Sequence, residues 1–227
     1  DGIGFHLIIF TIEREASLMT IVKDGYPAIF GALVVALITY FVFGPIWAVI
    51  PGVLALFFLW FFRNPTSMPP KDPNVLYSPA HGTVMAIEDI FDEEYLNEPA
   101  TKVTIFLSVF DVHVNRTPID GEIKYQRYTC GQFVPAYKKS ASFENERHAI
   151  GLDNGRIRML ISQVAGLLAR RIVSWVTLGD KVKQGECYGM IKFGSSTELV
   201  VPKNVEICVK KYQKVTGGVT IVGRIKD

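Results

Sequence analysis

Charge is missing from a long stretch of this 227-residue chain, since no Asp, Glu, Lys or Arg occurs from Gly25 to Phe62. Over the whole chain only 20% of the residues are charged and 49% are hydrophobic. Ordinary soluble domains carry roughly 25% charged residues. An uncharged apolar stretch of this length excludes a disordered chain and a simple soluble globule.

Cysteine is also scarce, and its positions lie far apart. The three cysteines, Cys130, Cys187 and Cys208, form no Cys-x-x-Cys pair. Their odd number and wide spacing argue against a disulfide framework and against a structural zinc site, so we expect no metal. We predict three reduced thiols that serve as small buried hydrophobic side chains.

Neither sign of charge is in excess. The formal net charge is +2, and residues 64–227 are likewise close to neutral. Proteins that bind nucleic acid usually carry a basic patch or stripe. The sequence therefore predicts no nucleic-acid partner.

The uncharged stretch is nearly twice as long as the ~20 residues that one membrane-spanning helix needs. Gly44 and Pro45 interrupt it near the middle, and this pair breaks a helix and favours a turn. The sequence therefore predicts a hairpin of two short helices, Pro27–Phe43 and Ile46–Phe62.

Cations flank this hairpin on both sides, and its loop has none. Lys23 precedes the hairpin and Arg63 follows it, which predicts that both ends face the cytoplasm. We assign residues 25–63 to a helical hairpin in the cytoplasmic membrane, and residues 1–24 to an N-terminal segment able to lie on the membrane surface. The alternative is a helical hairpin buried inside a larger soluble core.

Residues 64–227 differ from the uncharged stretch in composition and in the pattern of their apolar residues. A proline-rich linker, Asn64–Pro73, is followed by short β-branched runs separated by turn signals. This pattern predicts a mostly β domain with few helices, and it leaves both helix and strand open for Val164–Val173. The predicted strands lie in Gly82–Ile87, Val103–Val109, Gly121–Tyr125, Arg156–Ile161, Tyr188–Phe193, Glu198–Val201, Glu206–Val209 and Val219–Val222.

The segment Gly179–Gly185 (GDKVKQG) has a turn at each end and Val182 pointing inward between them. It is similar to turns of biotinyl- and lipoyl-type barrel-sandwich domains. The predicted fold class is therefore a mostly β, barrel-sandwich-like domain behind a membrane hairpin. A carrier domain of that type would present a modifiable lysine, for which Lys192 is the candidate. A membrane-tethered carrier or adaptor without catalysis is the alternative function.

Some polar residues lie in sequence surroundings that suggest a catalytic role. His113 directly follows a strand-like run, whereas His148 lies in a charged segment whose simplest interpretation is a solvated loop. At Gly194–Ser195, glycine permits an unusual backbone and serine supplies a hydroxyl able to attack the preceding carbonyl. Each of these features is common, so none of them identifies a function by itself.

Several segments, taken together and in this order, resemble the phosphatidylserine decarboxylase family in its short, membrane-anchored form. The resemblance runs from about Phe62 to the C-terminus, and the apolar hairpin suits the short form. The segments that carry it are Ser78–Gly82 (SPAHG), Phe110–Pro118 (FDVHVNRTP) with Asp120–Gly121, Ala141–Arg147 (ASFENER), Gln163–Gly166 (QVAG) with Ala169–Val173 (ARRIV), and Ile191–Ser195 (IKFGS).

The resemblance implies a proenzyme that cleaves itself between Gly194 and Ser195. The Ser195 hydroxyl would attack the Gly194 carbonyl and convert the amide into an ester. Loss of the Ser195 α-proton would then expel the acyl group and leave dehydroalanine, and hydration with loss of ammonia would give a pyruvoyl group. The products would be a long chain, 1–194, and a short chain, 195–227, that stays attached because its strands complete the β domain.

The activity that the resemblance implies is decarboxylation of a serine phospholipid to phosphatidylethanolamine. The pyruvoyl carbonyl would form a Schiff base with the serine amine and withdraw electrons as carbon dioxide leaves. His113 matches the family's decarboxylation histidine and is expected to deliver the proton that follows. Asn115 and Arg116 are expected to bind or orient the headgroup. The family also implies a homodimer.

Besides Arg116, which stands where some longer relatives have a second histidine, two positions depart from the family pattern. The family usually has aspartate where this chain has His81, and that aspartate belongs to the Asp/His/Ser arrangement credited with self-cleavage. Histidine can act as a general base but supplies no fixed negative charge near neutral pH, so we hypothesise that His81 slows or blocks maturation. The second departure is Ser196, where the short form often has arginine. A degenerate relative that binds lipid without turnover is a third hypothesis.

Overall fold

Two helices precede a long series of antiparallel strands in the computed structural model of the chain, which describes residues 19–66, 69–132, 134, 144–166, 171–192 and 195–226. The elements are a 3₁₀ turn (Lys23–Gly25), helices α1 (Tyr26–Phe43) and α2 (Pro45–Phe61), and strands β1 (Met19–Ile21), β2 (Arg63–Pro65), β3 (Val75–Tyr77), β4 (Gly82–Asp92), β5 (Glu98–Leu107), β6 (Val114–Arg116), β7 (Gly121–Thr129), β8 (Arg147–Asp153), β9 (Arg158–Val164), β10 (Arg171–Ser174), β11 (Lys181–Val182), β12 (Cys187–Lys192), β13 (Ser195–Pro202), β14 (Val205–Ile207), β15 (Lys214–Val215) and β16 (Ile221–Ile225).

The helical hairpin turns at Gly44, as the sequence predicts. Gly44 has a φ of 92°, a backbone conformation that glycine adopts without steric cost. Pro45 is the first residue of α2 rather than part of the turn, and proline suits that position because the first N–H of a helix needs no partner. The ends of the predicted helices therefore differ from the observed ones by at most one residue.

The hairpin exposes its apolar side chains. The helical segment Lys23–Phe43 is long and apolar enough to cross a membrane, and α2 is an apolar helix of shorter length. Only 11% of the most apolar window of Lys23–Phe43 is buried inside the protein. The rest of the chain covers little of this apolar surface, which argues against the alternative of a hairpin buried in a soluble core.

The β domain is built around an eight-stranded antiparallel sheet with the strand order β11-β7-β8-β9-β13-β5-β4-β15. Two three-stranded sheets, β10-β12-β6 and β14-β16-β3, adjoin it, and β1 pairs with β2 at the base of the hairpin. The prediction of a mostly β domain behind an apolar hairpin is confirmed. Every predicted strand run overlaps an observed strand.

The large sheet has one face on the main hydrophobic core. Val84, Val103, Ile105 and Leu199 contribute to this core from neighbouring strands. Val182 is also buried in it, as the turn segment Gly179–Gly185 predicts. Strand β13 lies between β9 and β5 in the middle of the sheet, and all of its residues are buried.

The structure bears on three further local predictions. Val164 ends β9 and Arg171 begins β10, so the described part of Val164–Val173 consists of strand and of the two loop residues 165–166, without helix. Residues 167–170, within that segment, lie outside the described residues. Asn64 and Pro65 belong to β2, because pairing with β1 orders this part of the predicted linker. The predicted N-terminal segment 1–24 is described only from Met19 onward.

The cysteines are free thiols, but the prediction that they are buried is wrong. Cys130 and Cys208 are exposed and Cys187 is half-buried. Cys130 follows the end of β7, and Cys208 follows the end of β14. Both positions lie just beyond the strands, where the chain leaves the core.

Candidate active site

The segments that carry Ser195 and His81 lie at the same end of the large sheet. Ser196 of β13 and Thr83 of β4 are register partners of the same residue, Phe106, on the two sides of β5. Ser195 precedes Ser196 by one residue, and His81 precedes Thr83 by two. Since adjacent strands are roughly 4.8 Å apart, the two segments are separated by about 10 Å across β5.

Ser195 has the feature expected of a reactive serine. Its side chain is completely buried, and its Oγ has no hydrogen-bond partner among the described residues. A buried hydroxyl without a partner is costly and therefore uncommon in folded proteins. Gly194, the predicted acyl donor, lies outside the described residues.

His81 lies in a turn that is tied firmly to the rest of the domain. Ser78 Oγ donates to Ala80 O at 2.7 Å, and the backbone N–H of Arg116 donates to Pro79 O at 2.9 Å. A Cβ at Gly82 would meet Phe106 O at 2.1 Å, so only glycine allows β4 to begin this close to β5. The turn therefore holds the His81 ring at the sheet end.

The imidazole of His81 is neutral near pH 7. Burial, followed by the positive charges of Arg116 and Arg63, lowers the pKa of His81 to about 4. Its Nε2 is buried and has no hydrogen-bond partner in the part of the chain that is described. A neutral imidazole nitrogen of this kind can accept a proton.

His113 follows β5 at the same end of the sheet and is completely buried. Its Nδ1 donates to Asp111 O at 2.9 Å, and its ring lies 4.5 Å from the ring of Phe61 in α2. The Asp111 carboxylate accepts hydrogen bonds from Ser108 N and Ser108 Oγ, both at 2.8 Å, which fixes the loop. Burial lowers the pKa of His113 to about 4.

Strand β12 brings the third segment to this site. The backbone N–H of Ile191 donates to His113 O at 3.2 Å. Only residues 193–194 separate the end of β12 at Lys192 from Ser195. His113 is therefore close along the sheet edge to the chain that leads into Ser195.

Arg116 is committed to the protein itself. Its side chain is only 2% exposed. Its Nη1 donates to Gly185 O at 2.9 Å, and its Nη2 donates to Asn64 Oδ1 at 2.5 Å and to Pro65 O at 2.8 Å. This arrangement connects the β domain to the strand that follows the hairpin, and it does not support the predicted contact with the headgroup.

Asn115 likewise belongs to a buried chain of hydrogen bonds. Gln163 Nε2 donates to Asn115 Oδ1 at 2.8 Å, and Asn115 Nδ2 donates to Thr197 Oγ1 at 2.8 Å. This series of hydrogen bonds thus ends at Thr197, two residues after Ser195. The geometry supports a structural role for Asn115 rather than the predicted contact with substrate.

His148 extends this chain outward, and the prediction of a solvated loop around it is wrong. His148 is a buried residue of β8. Gln126 Nε2 donates to His148 Nε2 at 3.0 Å, so His148 Nδ1 donates to Gln163 Oε1 at 3.4 Å. Burial lowers the pKa of His148. Five consecutive residues of β8, His148–Leu152, are buried, and the charged residues that precede them hid this strand in the sequence.

Lys192 is not displayed as a carrier lysine would be. Its Nζ lies 3.7 Å from Asp24 Oδ1 and 5.6 Å from the centroid of the Phe62 ring, at the base of the hairpin. Within the described residues, no group of three or more His, Cys, Asp or Glu could hold a metal ion. The residues that the structure describes at the candidate site are Ser195, His81 and His113, with their supporting hydrogen bonds.

Comparison with known proteins gives a consistent result. The family model for phosphatidylserine decarboxylase matches residues 54–223. The chain is 49% identical over 175 residues to the phosphatidylserine decarboxylase proenzyme of Carboxydothermus hydrogenoformans, covering 77% of this chain and 82% of that protein. The proenzymes of Symbiobacterium thermophilum and Syntrophus aciditrophicus are 41% and 42% identical over 206 residues, with 90% and 89% of this chain covered and 95% and 96% of theirs. The chain therefore belongs to the phosphatidylserine decarboxylase family.

Proposed function

We propose that this chain is a phosphatidylserine decarboxylase proenzyme that generates its own pyruvoyl group from Ser195. The observation that carries the proposal is the buried Ser195 Oγ, which has no hydrogen-bond partner among the described residues. It lies at the start of β13, at the same sheet end as His81 and near the loop of His113. A hydroxyl that must attack a neighbouring carbonyl is best left without a competing hydrogen bond.

Self-cleavage begins when Ser195 Oγ attacks the carbonyl carbon of Gly194. The proton of the hydroxyl must go to a base, and His81 is neutral with a buried Nε2 that has no partner in the described chain. His81 is our candidate for that base. Unlike the family's aspartate it brings no negative charge, so we expect self-cleavage to be slow.

The short chain 195–227 remains bound after cleavage because it forms the middle of the domain. Strand β13 pairs with β5 on one side and β9 on the other, and β15 pairs with β4. Strands β14 and β16 form a sheet with β3. Removing this fragment would expose the main core, so the two chains stay together without a covalent bond.

The pyruvoyl group supplies a carbonyl that withdraws electrons from the carbon losing carboxylate. Around it, His113 is the candidate proton carrier. Its Nδ1–H is held by Asp111 O, so the lone pair of the neutral ring is on Nε2. Burial keeps the free imidazole uncharged at pH 7. An anionic substrate would raise the pKa of His113 and so allow the ring to carry the proton that replaces carbon dioxide.

The hairpin is proposed to insert into the cytoplasmic membrane, with the β domain on the cytoplasmic face. An α-helix rises about 1.5 Å per residue, so α1 with 18 residues is about 27 Å long, close to the hydrocarbon thickness of a bilayer. The site contacts the end of α2 through Phe61 and His113. A two-tailed phospholipid could therefore present its headgroup to the site without leaving the membrane.

Mass spectrometry and an activity assay test the proposal together. We expect fragments that separate at Ser195, a pyruvoyl-blocked short chain, and carbon dioxide release from phosphatidylserine. Ser195→Ala should abolish both cleavage and release. An intact chain with a modified Lys192 would instead support the carrier alternative. Lipid binding without carbon dioxide release, even after His81→Asp, would support a degenerate relative.

The homodimer implied by the family resemblance stays a prediction. Size-exclusion chromatography of the full chain in detergent, with light scattering to give the protein mass, would test it.

A further inference from the structure

The guanidinium of Arg63 lies where α2 ends, and two backbone carbonyls fix its position. Arg63 Nη1 donates to Trp60 O at 2.8 Å, and Nη2 donates to Phe110 O at 2.9 Å. The guanidinium carbon lies 4.1 Å from the centroid of the Trp60 ring. Arg63 thus joins the end of the hairpin to the loop that carries His113.

Arg63 has donor capacity beyond these two contacts. A guanidinium carries five N–H donors, and these hydrogen bonds use two of them. Among the described residues, no carboxylate forms an ion pair with Arg63. Asp111 acts on it electrostatically, but the Asp111 carboxylate is bound to Ser108. Burial lowers the pKa of Arg63, as expected of a cation that lacks a bound counter-ion.

The charge of Arg63 acts directly on the proposed catalytic groups. It lowers the pKa of both His81 and His113, so it lies within electrostatic reach of both rings. In a serine phospholipid, the phosphorus is three bonds from the serine α-carbon. A cation that neutralises the phosphate must therefore lie beside the atoms that react.

Two other cations near the site, Arg116 and Lys192, are already engaged. Arg116 is buried and donates to three protein oxygens. Lys192 lies beside Asp24. Of these three cations, Arg63 is the one that forms no ion pair with a described residue and whose described contacts leave donors for a ligand.

The surroundings of Arg63 suit a lipid better than free phosphate. Phe110 is 72% exposed, and its ring centroid lies 6.1 Å from that of Trp60. These aromatic rings continue the apolar surface of α2 up to the guanidinium. A ligand with a phosphate at Arg63 could lay its acyl chains against this surface.

We propose that Arg63 binds the phosphodiester of the substrate lipid, whose acyl chains lie on the side of Phe110 and α2. A guanidinium offers parallel N–H donors that match two phosphate oxygens. This assignment rests on the proposed function and names the headgroup contact of the same site.

Trp60 provides a binding signal that is independent of activity. The variant Trp47→Phe/Trp175→Phe leaves Trp60 as the only tryptophan of the three in the chain. In this background, in uncharged detergent, dihexanoyl phosphatidylserine should change the Trp60 emission in a saturable manner. Arg63→Gln should weaken the measured affinity by about tenfold or more. Arg63→Lys should recover part of the affinity, because lysine keeps the positive charge but lacks the two parallel N–H donors of a guanidinium.

Two further probes and one variant serve as controls. Dihexanoylglycerol, which lacks the phosphate, should bind the parent and Arg63→Gln equally. Lys23→Gln removes a positive charge from the other flank of the hairpin and should leave lipid affinity unchanged. Equal affinity of the parent and Arg63→Gln for phosphatidylserine would overturn the proposal. Inorganic phosphate binding as tightly as the lipid would overturn the choice of a lipid ligand.

Kinetics separate this proposal from the proposed function. In cleaved protein, obtained from the His81→Asp background if the native chain does not mature, Arg63→Gln should raise KM about tenfold and change kcat less than about threefold. If Arg63 had a purely structural role, Arg63→Gln would lower the melting temperature without raising KM more than it changes kcat. Carbon dioxide release with an unchanged KM overturns the role of Arg63 alone. Lipid binding that depends on Arg63, without carbon dioxide release, overturns the decarboxylase activity alone.

Discussion

The imidazole of His113 packs against the ring of Phe61, with 4.5 Å between the ring centroids and 36° between the ring planes. Phe61 is the last residue of α2 and is completely buried. The end of the hairpin therefore forms one wall of the proposed active site. A change in this helix end should act on the chemistry of His113.

Phe61→Ala should uncouple the helix end from His113. Removing a buried phenylalanine costs roughly 3–5 kcal/mol of stability. It would also admit water to His113, so the pKa of His113 should rise from about 4 toward the ordinary value of 6.5. The acid limb of the kcat/KM profile should then move to higher pH. Phe58→Ala, in the same cluster but only partly buried, is the control, and an unmoved acid limb would count against the coupling.

Folding stability should fall as the pH is lowered from about 6.5 to about 4. Burial lowers the pKa of His81 and of His113 to about 4, so the unfolded chain binds more protons than the folded chain in this window. The stability is fully present above pH 6.5, and each histidine accounts for up to about 3 kcal/mol of the loss. Below pH 4 both states are protonated and this contribution stops changing.

Urea unfolding of the uncleaved Ser195→Ala chain in detergent, between pH 4 and pH 7.5, measures this dependence. The double variant His81→Asn/His113→Asn should show a much shallower slope over the same range. If the free energy of unfolding depended on pH in the same way in both proteins, these two histidines would not be the cause of the effect.

His81→Asp should accelerate self-cleavage at Ser195. The charges of Arg116 and Arg63, which lower the pKa of His81, would stabilise a carboxylate at the same position. General bases typically contribute a factor of 10²–10⁴ to a rate, so we expect at least about a tenfold gain. A denaturing gel followed over time measures the conversion. His81→Asn is the uncharged control, and equal cleavage of the parent and the aspartate variant would refute the hypothesis that His81 limits maturation.

Gln163→Leu should destabilise the domain through the groups it leaves unpaired. Asn115 Oδ1 and His148 Nδ1 would each lose a hydrogen-bond partner in a buried site. Each such group costs about 1–3 kcal/mol. Chemical denaturation of the variant measures the loss. Gln126→Leu, at the outer and partly exposed end of the chain, should cost less, and an equal loss in both variants would argue against a continuous network.

Local sequence patterns were sufficient to predict the hairpin and the strands. The break at Gly44 follows from the conformational freedom of glycine, and Pro45 begins the second helix because its fixed backbone suits that position. The inward position of Val182 follows from the turns on either side of it. These features depend on neighbouring residues, so no long-range contact was needed to predict them.

Side-chain partners distant in sequence could not be predicted in this way. Asn115 and Arg116 were expected to bind the headgroup, but the structure pairs them with Gln163, Thr197 and backbone oxygens. Arg63 was interpreted only as a flanking charge, whereas its contact with Phe110 connects it to the loop of His113. Such roles depend on contacts between residues separated by dozens of positions.

The sequence by itself determined the apolar helical hairpin, the mostly β domain and the motifs that indicate the family, because these features depend on composition, periodicity and the local order of residues. Only the tertiary structure decided that Ser195 and His81 lie on either side of one strand, and that the end of α2 contacts His113. It also decided that both histidines are neutral near pH 7, since their low pKa values arise from burial. Strand pairing and burial bring distant residues together, and no local pattern specifies them.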